Sequence, residues 1–418
     1  MPADGSALRA GLSADARRIL RAQALRAFAY GLGAVLLGAT LKSRGLSSLQ
    51  AGLVLAAVLA GTVVASLALG RWADRIGRRR CYIALYLALA ACGVVFALSD
   101  TLWLLVLVAL TGALSTEVVE SGPFTSLEQV MLATDLGGRR RLRGFGTYNA
   151  VATAAGSLGA LAAGGLGPLR HVLPGAFSDQ RAFLVFVPVA LAGAVVAVTL
   201  TPAVEAPVKA PDLGPLGRSR PTVLRLSALF ATDSFGGGFV VQAFIAYWLT
   251  VRFGASIGLL GIVFFSLGVL QTASFLAAPR LAERIGLLNC MVFSHLPSNV
   301  LLIAVAFTPN LGVAVALLLA RFALSQMDVP TRQAYVMALV EPQERTAAAA
   351  YTNTARYLTR PVGPLLAGAT LSLAVGAPFV VAGAVKGAYD LVLWRWFRTL
   401  ELPESIDGPP PREAETTP

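Results

Sequence analysis

The chain has 418 residues, 56% of them hydrophobic and 13% charged, with mean hydropathy +0.70 and net charge +12. Soluble domains carry about 25% charged residues, so this composition excludes a protein that covers itself with polar side chains and requires one whose surface meets lipid. The 41 glycines, beside an apolar excess of Ala, Leu and Val, fit closely packed membrane helices. Cys81, Cys92 and Cys290 have no paired spacing, so neither a disulfide framework nor a zinc site is expected; no cofactor or metal is predicted.

In chain order, the polar stretch Met1–Gln23 carries Arg9, Arg17, Arg18 and Arg21 and has no apolar core ending in a small-residue cleavage site. No signal peptide is predicted there, and the first span is expected to act as its own insertion signal. Crossing about 30 Å of hydrocarbon takes roughly 20 apolar residues in a helix. Helices are the default because backbone polar groups in lipid must be satisfied within their own segment. Six spans are predicted over 24–42, 47–70, 81–99, 102–133, 145–167 and 182–201, and six more over 223–251, 256–279, 288–307, 311–340, 346–374 and 377–397. Only PAVEAPVKAPDLGPLGRSRP, residues 202–221, breaks this rhythm. It divides the chain into an N-terminal bundle (1–201), a linker, a C-terminal bundle (222–398) and a short tail (399–418). The expected fold is all-α and membrane-embedded: twelve transmembrane helices in two pseudo-symmetric six-helix bundles.

If the N-terminus is cytoplasmic, the inner loops, linker and tails hold 22 Lys and Arg, against five in the outer loops (Lys42, Arg44, Arg170, Arg181 and Arg252). The positive-inside rule expects such a bias, so the basic charge is assigned to topology rather than to nucleic acid. The reading places both termini in the cytoplasm of a bacterial inner membrane and expects a monomer.

The loop after the second span reads Gly70-Arg71-Trp72-Ala73-Asp74-Arg75-Ile76-Gly77-Arg78-Arg79-Arg80. The loop after the eighth reads Pro279-Arg280-Leu281-Ala282-Glu283-Arg284-Ile285-Gly286. They align without a gap, which marks an internal duplication of the kind found in transporters. The first copy resembles the G-x-L-A-D-R-x-G-R-K loop of the major facilitator superfamily, departing mainly at Trp72. With twelve spans and a central linker, the resemblance covers nearly the whole chain. It implies an inward-gate loop in which Asp74, Arg75 and Arg78 cap a neighbouring helix and pair with one another, with Glu283 and Arg284 as second-half counterparts. Gly70 is expected to permit close approach and Gly77 a turn. More loosely, Gly156, Gly159, Gly164, Gly165, Gly167 and Pro168 of the fifth span resemble the glycine–proline pattern of drug and proton antiporters, with a different order and spacing. Ordinary small-residue packing explains them as well.

Ionisable residues at membrane depth are functional candidates because they cost several kcal/mol unless paired or hydrated. The fourth span holds Glu117, Glu120 and Glu128 around Pro123, which is expected to bend the helix toward a cavity. Glu120 and Glu128 are candidates for proton coupling or gating, or else for fixed ion pairs with Arg26 or with the arginines at 139–143. Asp233, just before Gly236-Gly237-Gly238 in the seventh span, and Asp328 in the tenth are the other coupling candidates. Arg26, Tyr30, Gln242, Arg356 and Arg360 are expected in the substrate cavity, with Tyr247 and Gln271 as further lining candidates. Arg356 and Arg360 lie one turn apart, so they form either an anion site or a gate paired with Asp233 and Asp328; the sequence leaves both open. Arg225, Arg332 and Asp390 are placed near helix ends, and His295 is read as structural.

The expected function is secondary transport by alternating access, with protons and a small molecule as partners and the lipid bilayer as solvent. Efflux of a small organic or drug-like compound comes first, import or exchange of an anionic metabolite second, and a non-transporting membrane sensor third. No phosphate-binding loop is present, so ATP is not the direct energy source. No nucleophile–base pattern suggests an enzyme.

Overall fold

The structure is a computed structural model and describes residues 13–118, 122–135, 138–172, 180–205, 216–341 and 343–400. Glu120, Lys209 and the two tails read from the sequence lie outside these residues. The regular elements among the described residues are all helices. The first three spans are unbroken: α1 (Ala14–Ser43), α2 (Ser48–Ile76) and α3 (Arg78–Leu98). Helix α1 begins ten residues before the predicted 24, because Ser13 caps the N–H of Ala16 and Asp15 meets Thr201 across the bundle. Hydropathy registers only the part of this helix that lipid would surround.

The fourth span is split into α4 (Leu102–Ala109) and α5 (Pro123–Asp135), which corrects the single bent helix expected over 102–133. Three local features interrupt it. Gly112 turns the chain at φ +73, in the left-handed region. Ser115 accepts the N–H of Glu117 through its hydroxyl at 3.1 Å, offering the backbone a turn in place of a helix. Pro123 then starts α5, where its missing N–H costs nothing. A carbonyl freed by the break, that of Ala113, accepts the Tyr30 hydroxyl at 2.9 Å. The first half closes with α6 (Gly138–Val172) and with a turn of 3-10 helix, Arg181–Val185, that runs into α7 (Phe186–Val198).

In the second half, the seventh span is α8 (Arg220–Gly238) and α9 (Gln242–Phe253), interrupted after the three glycines. The eighth and ninth spans, α10 (Ile257–Ile285) and α11 (Leu287–Val305), are continuous. The tenth divides into α12 (Leu311–Ser325) and α13 (Asp328–Leu339), the eleventh into α14 (Arg345–Thr359) and α15 (Val362–Leu373); α16 (Ala377–Phe397) is the twelfth. The architecture is thus twelve membrane spans in two six-span halves. Among the described residues, breaks fall in the fourth and tenth spans, at equivalent places of the repeat, and in the seventh and eleventh.

Glycine sets how closely the halves meet. A Cβ on Gly52 would lie 2.5 Å from the Pro364 carbonyl oxygen, one on Gly38 2.5 Å from that of Ala243, and one on Gly261 2.7 Å from that of Ala160. These approaches join α1 to α9, α2 to α15 and α6 to α10, all toward the end of the bundle opposite the 71–80 arginines. One apolar core runs through both halves there, while a separate cluster of Val223, Phe230, Tyr335 and Leu393 belongs to the second half alone. The halves are therefore closed against each other at one end and held by separate cores at the other.

Both repeated loops end their helices with a glycine at positive φ, +104 at Gly77 and +83 at Gly286, so the sequence repeat is also a backbone repeat. Gly70 differs from expectation: it lies within α2 facing open space, with no neighbour that requires its small size.

Candidate functional site

Three groups of charges occupy the spans. Within the first half, Arg26 of α1 meets Glu128 of α5, Nε to Oε1 at 3.1 Å and Nη2 to Oε2 at 2.8 Å. The hydroxyls of Tyr82 and Tyr148 donate to the same carboxylate at 2.7 and 2.5 Å. Tyr30 and Phe124 flank the guanidinium with their rings. Both charges are sealed, 1% and 0% exposed. Arg26 and Tyr30 therefore lie inside the first half rather than along a cavity, and of the alternatives for Glu128 the structure places it in the ion pair with Arg26.

The second half holds a larger cluster. Asp233 of α8 meets Lys386 of α16 at 2.5 Å and Arg332 of α13 at 3.4 Å. Arg332 also pairs with Asp328, one turn earlier on the same helix, at 2.9 Å. Asp390, one turn after Lys386, takes His295 Nδ1 at 2.9 Å and Asn299 Nδ2 at 2.8 Å, both from α11. His295 Nε2 lies 3.9 Å from Asp233, so the imidazole stands between two carboxylates. Arg332 and Asp390 are buried rather than close to solvent at helix ends. Arg321 and Arg356 are within electrostatic reach of Asp233. Hydropathy gave no sign of this convergence, since its members come from five spans.

The third group joins the halves. Glu117, in the unwound part of the fourth span, pairs with Arg360, at the break of the eleventh, at 2.9 Å. Arg360 thus has a carboxylate neighbour, Glu117, other than Asp233 and Asp328. Two contacts fix Arg360. Its carbonyl packs against Gly238, at the break of the seventh span, where a Cβ would lie 2.3 Å from that oxygen. The preceding Thr359 donates its hydroxyl to the Ala231 carbonyl at 2.8 Å.

Beside this pair lies a cleft with an empty volume of about 660 Å³, part of it open to the outside. Its walls are α2 (Leu59, Thr62, Val63), the fourth span (Ser115, Glu117, Ser126) and the eleventh (Thr354, Leu358, Pro361). A smaller cavity of about 310 Å³ borders the same unwound segment at Val118 and is lined by Gln242 and Gln271. The sequence reading thus placed Gln242, Gln271 and Arg360 beside cavities. Glu117, which the sequence reading set on one helical face with Glu120, lies in a non-helical stretch, and Glu120 itself is outside the described residues.

The loop after α2 is built around a different acid from the one expected. Asp74 pairs with Arg78 at 2.7 Å. The carboxylate that receives the N-terminal N–H groups of α3, those of Arg78 and Arg79 at 2.7 and 2.9 Å, belongs to Glu205, after the sixth span. Glu344 does the equivalent at the start of the seventh span, accepting N–H groups of Gly217 and of Ser219, the latter at 3.1 Å. Hydrogen bonding from Ser219 first, then Gly217, holds the Glu344 carboxyl below the usual carboxylate range. Arg75, Glu283 and Arg284 lie exposed on the same surface.

The sequence model of the Major Facilitator Superfamily matches residues 19–364. An uncharacterised membrane protein of Saccharomyces cerevisiae, YJR124C, is 25% identical over 91% of this chain and 93% of its own. Among solved structures, the nucleoside transporter NupG superposes with a TM-score of 0.71 at 15% identity, over 92% of this chain and 98% of its own. An inward-facing bacterial homologue of the human lysosomal transporter Spinster gives 0.68 at 17% identity, over 93% and 98%. The partially occluded inward-open xylose transporter XylE of E. coli gives 0.67 at 14%, over 92% and 98%. At these identities the solved structures share the fold and nothing narrower.

Proposed function

Because the chain belongs to the Major Facilitator Superfamily, it is a membrane transporter rather than an enzyme, and we propose that it exports a small organic solute in exchange for protons by alternating access. The observation that carries this reading is the cleft between the halves, closed on one side by the Glu117–Arg360 pair and bordered by broken spans. Discontinuous helices at the interface of two repeats are where transporters of this build hold their solutes. The halves separate toward the arginine-rich end, which the charge bias assigns to the cytoplasm, so a solute loads from that side.

Protons enter through the acids that tie moving parts together. A proton on Glu117 removes the attraction between the fourth and eleventh spans, and one on Asp233 loosens α8 from α13 and α16. A typical coupling free energy of about 1–3 kcal/mol is enough to bias which end is open. Glu128 is left out of this role because its carboxylate is saturated by four donors.

A second reading, import or exchange of an anionic metabolite, is favoured by one observation. Around Asp233, Asp328 and Asp390 stand four cations, Lys386, Arg321, Arg332 and Arg356, and Nε of Arg356 has no hydrogen-bond acceptor.

The test uses proteoliposomes with an imposed pH gradient and an internal pH-sensitive dye, challenged with a panel of solutes. A transported solute should dissipate the gradient. Asp233→Asn and Glu117→Gln should each lower gradient-driven accumulation about tenfold or more, the equivalent of 1.4 kcal/mol of lost coupling, while solute exchange continues. Solute flux with no proton movement, or full coupling in both variants, would refute the assignment.

A further inference from the structure

His295 carries a chemistry that the acids alone do not supply. It is one of two histidines in the chain, lies buried on α11, and sets each ring nitrogen opposite a different carboxylate. Nδ1 lies 2.9 and 3.1 Å from the two oxygens of Asp390, on α16. Asn299, one turn further along α11, donates to Asp390 at 2.8 Å, and the Tyr389 ring packs edge to face against the imidazole. Nε2 lies 3.9 Å from Oδ1 of Asp233, the same oxygen that Lys386 takes. Resting on the proton-coupled transport proposed above, we infer that His295 is the group that passes protons to and from Asp233, with Asp390 and Asn299 holding its ring in place.

Hydrogen bonding decides which nitrogen exchanges. Asp390 is 1% exposed, and among the described residues its carboxylate accepts hydrogen bonds only from His295 and Asn299. A buried carboxylate needs such donors, so the hydrogen on Nδ1 is committed and Nε2 is the nitrogen left to gain or lose one. Asp233 is held differently, by Lys386 and Arg332, which tie α8 to α16 and α13. In the transfer, the Nε2–H bond of the imidazolium breaks as an O–H bond forms on Oδ1 of Asp233. Imidazolium and carboxylate become neutral imidazole and carboxylic acid, and Lys386 and Arg332 lose the charge that binds them to α8. The return transfer restores both contacts. Nε2 must come about 1 Å closer to reach hydrogen-bond length, and Lys386 occupies the oxygen it approaches, so the transfer is tied to movement of α16 against α8. Both groups are 3% exposed, and exchange with water belongs to the state in which this cluster opens.

The other titratable and charged groups on the helices packed against α11 are Lys386 and Tyr389 of α16, Arg321 of α12, and Asp328, Arg332 and Tyr335 of α13; Cys290 is on α11 itself. The charges of α10, Arg280, Glu283 and Arg284, and Arg395 of α16 are exposed at the helix ends. Of all these side chains, imidazole is the one that ordinarily changes charge between about pH 5 and 8.

A nitrogen NMR spectrum of full-length His171→Gln protein in nanodiscs, made with isotope-labelled histidine, reports His295 alone and needs no solute. Nδ1 should keep its hydrogen across about pH 5–8 while Nε2 gains and loses one. A bare Nδ1, or an Nε2 that never changes state, overturns the inference. In the vesicle assay, with a solute that the panel shows to be transported, His295→Gln should lower gradient-driven accumulation about tenfold or more and flatten its pH profile. Solute exchange should persist, since the Gln amide can still donate to Asp390 but carries no exchangeable charge. Adding Asp233→Asn to His295→Gln should be no worse than Asp233→Asn alone, because both interrupt one transfer. Full coupling in His295→Gln, losses that multiply in the double variant, or exchange lost together with coupling would leave His295 a structural role only. Should His295→Gln fail to fold, the spectrum of the unaltered His295 decides. A wild type that moves solute without protons refutes the coupling itself, whereas a coupled wild type beside an equally coupled His295→Gln refutes the histidine alone.

Discussion

Glu117 and Glu128 are eleven residues apart in one span, and their surroundings give them different work. Glu128 has its lone-pair positions filled by Arg26, Tyr82 and Tyr148, which ties α1, α3, α5 and α6 together. Removing one member of such a pair leaves the other buried without a counter-charge, at a cost of about 3–5 kcal/mol. Glu128→Gln or Arg26→Met should therefore lower the unfolding midpoint of detergent-purified protein steeply. The double change Arg26→Met with Glu128→Leu should lose much less, because two apolar side chains leave no stranded charge. A double variant as damaged as the singles would show that the pair is not what holds these helices. Both residues were legible in the sequence as intramembrane charges; which of them face a cavity was not, because that depends on the unwinding between Gly112 and Val118.

At the scale of elements, the division of labour is between unbroken and broken spans. Continuous α1, α2, α6 and α10 carry the small residues that let the halves close on each other. Broken spans four and eleven bring backbone turns and the charges of Glu117 and Arg360 to the cleft, and the break of span seven packs against Arg360 through Gly238. Glycine at the closed end is thus a conformational control. Overpacking costs about 1–3 kcal/mol, so Gly52→Val should push the equilibrium toward opening at that end by roughly 5- to 150-fold. A reporter cysteine at Leu37, in a background without Cys81, Cys92 and Cys290, should then react faster with a membrane-impermeant maleimide. No change in labelling rate would mean that the Gly52–Pro364 contact does not limit opening. The glycines of the fifth span fit the packing explanation: Gly156 faces Gly31, Gly159 the Phe28 carbonyl, and Gly164 meets Gly261 of the other half.

For the molecule as a whole, the core of the first half continues into the second half at one end, while the second half keeps a core of its own at the other; in the alternating access proposed above, the direction depends on orientation in the bilayer. The proposed direction takes the end where the halves part, which carries the excess of Lys and Arg, as the cytoplasmic one, as the positive-inside rule expects. A fluorescent protein fused after Pro418 should be bright, and alkaline phosphatase inserted at Gly45 should be active. The opposite pattern would invert the topology and with it the proposed direction of transport. Glu205 and Glu344, each gripping the first N–H groups of a helix at that same end, anchor the start of the linker and the start of the seventh span.

The sequence by itself determined the solvent, the span count, the two-half plan and the repeated loop. These rest on composition, on runs of apolar residues and on short motifs, all of them local along the chain. Gly77 and Gly286 could be read as equivalent because a positive φ is a property of one residue. Tertiary structure alone decided where the fourth span unwinds, that Glu205 rather than Asp74 caps α3, and that Arg360 meets Glu117. It alone assembled Asp233, Asp328, Asp390, Lys386, Arg332 and His295 from four spans. Charge pairing inside a membrane acts over a few ångströms of space, and residues more than a hundred positions apart reach that distance only after the helices have packed.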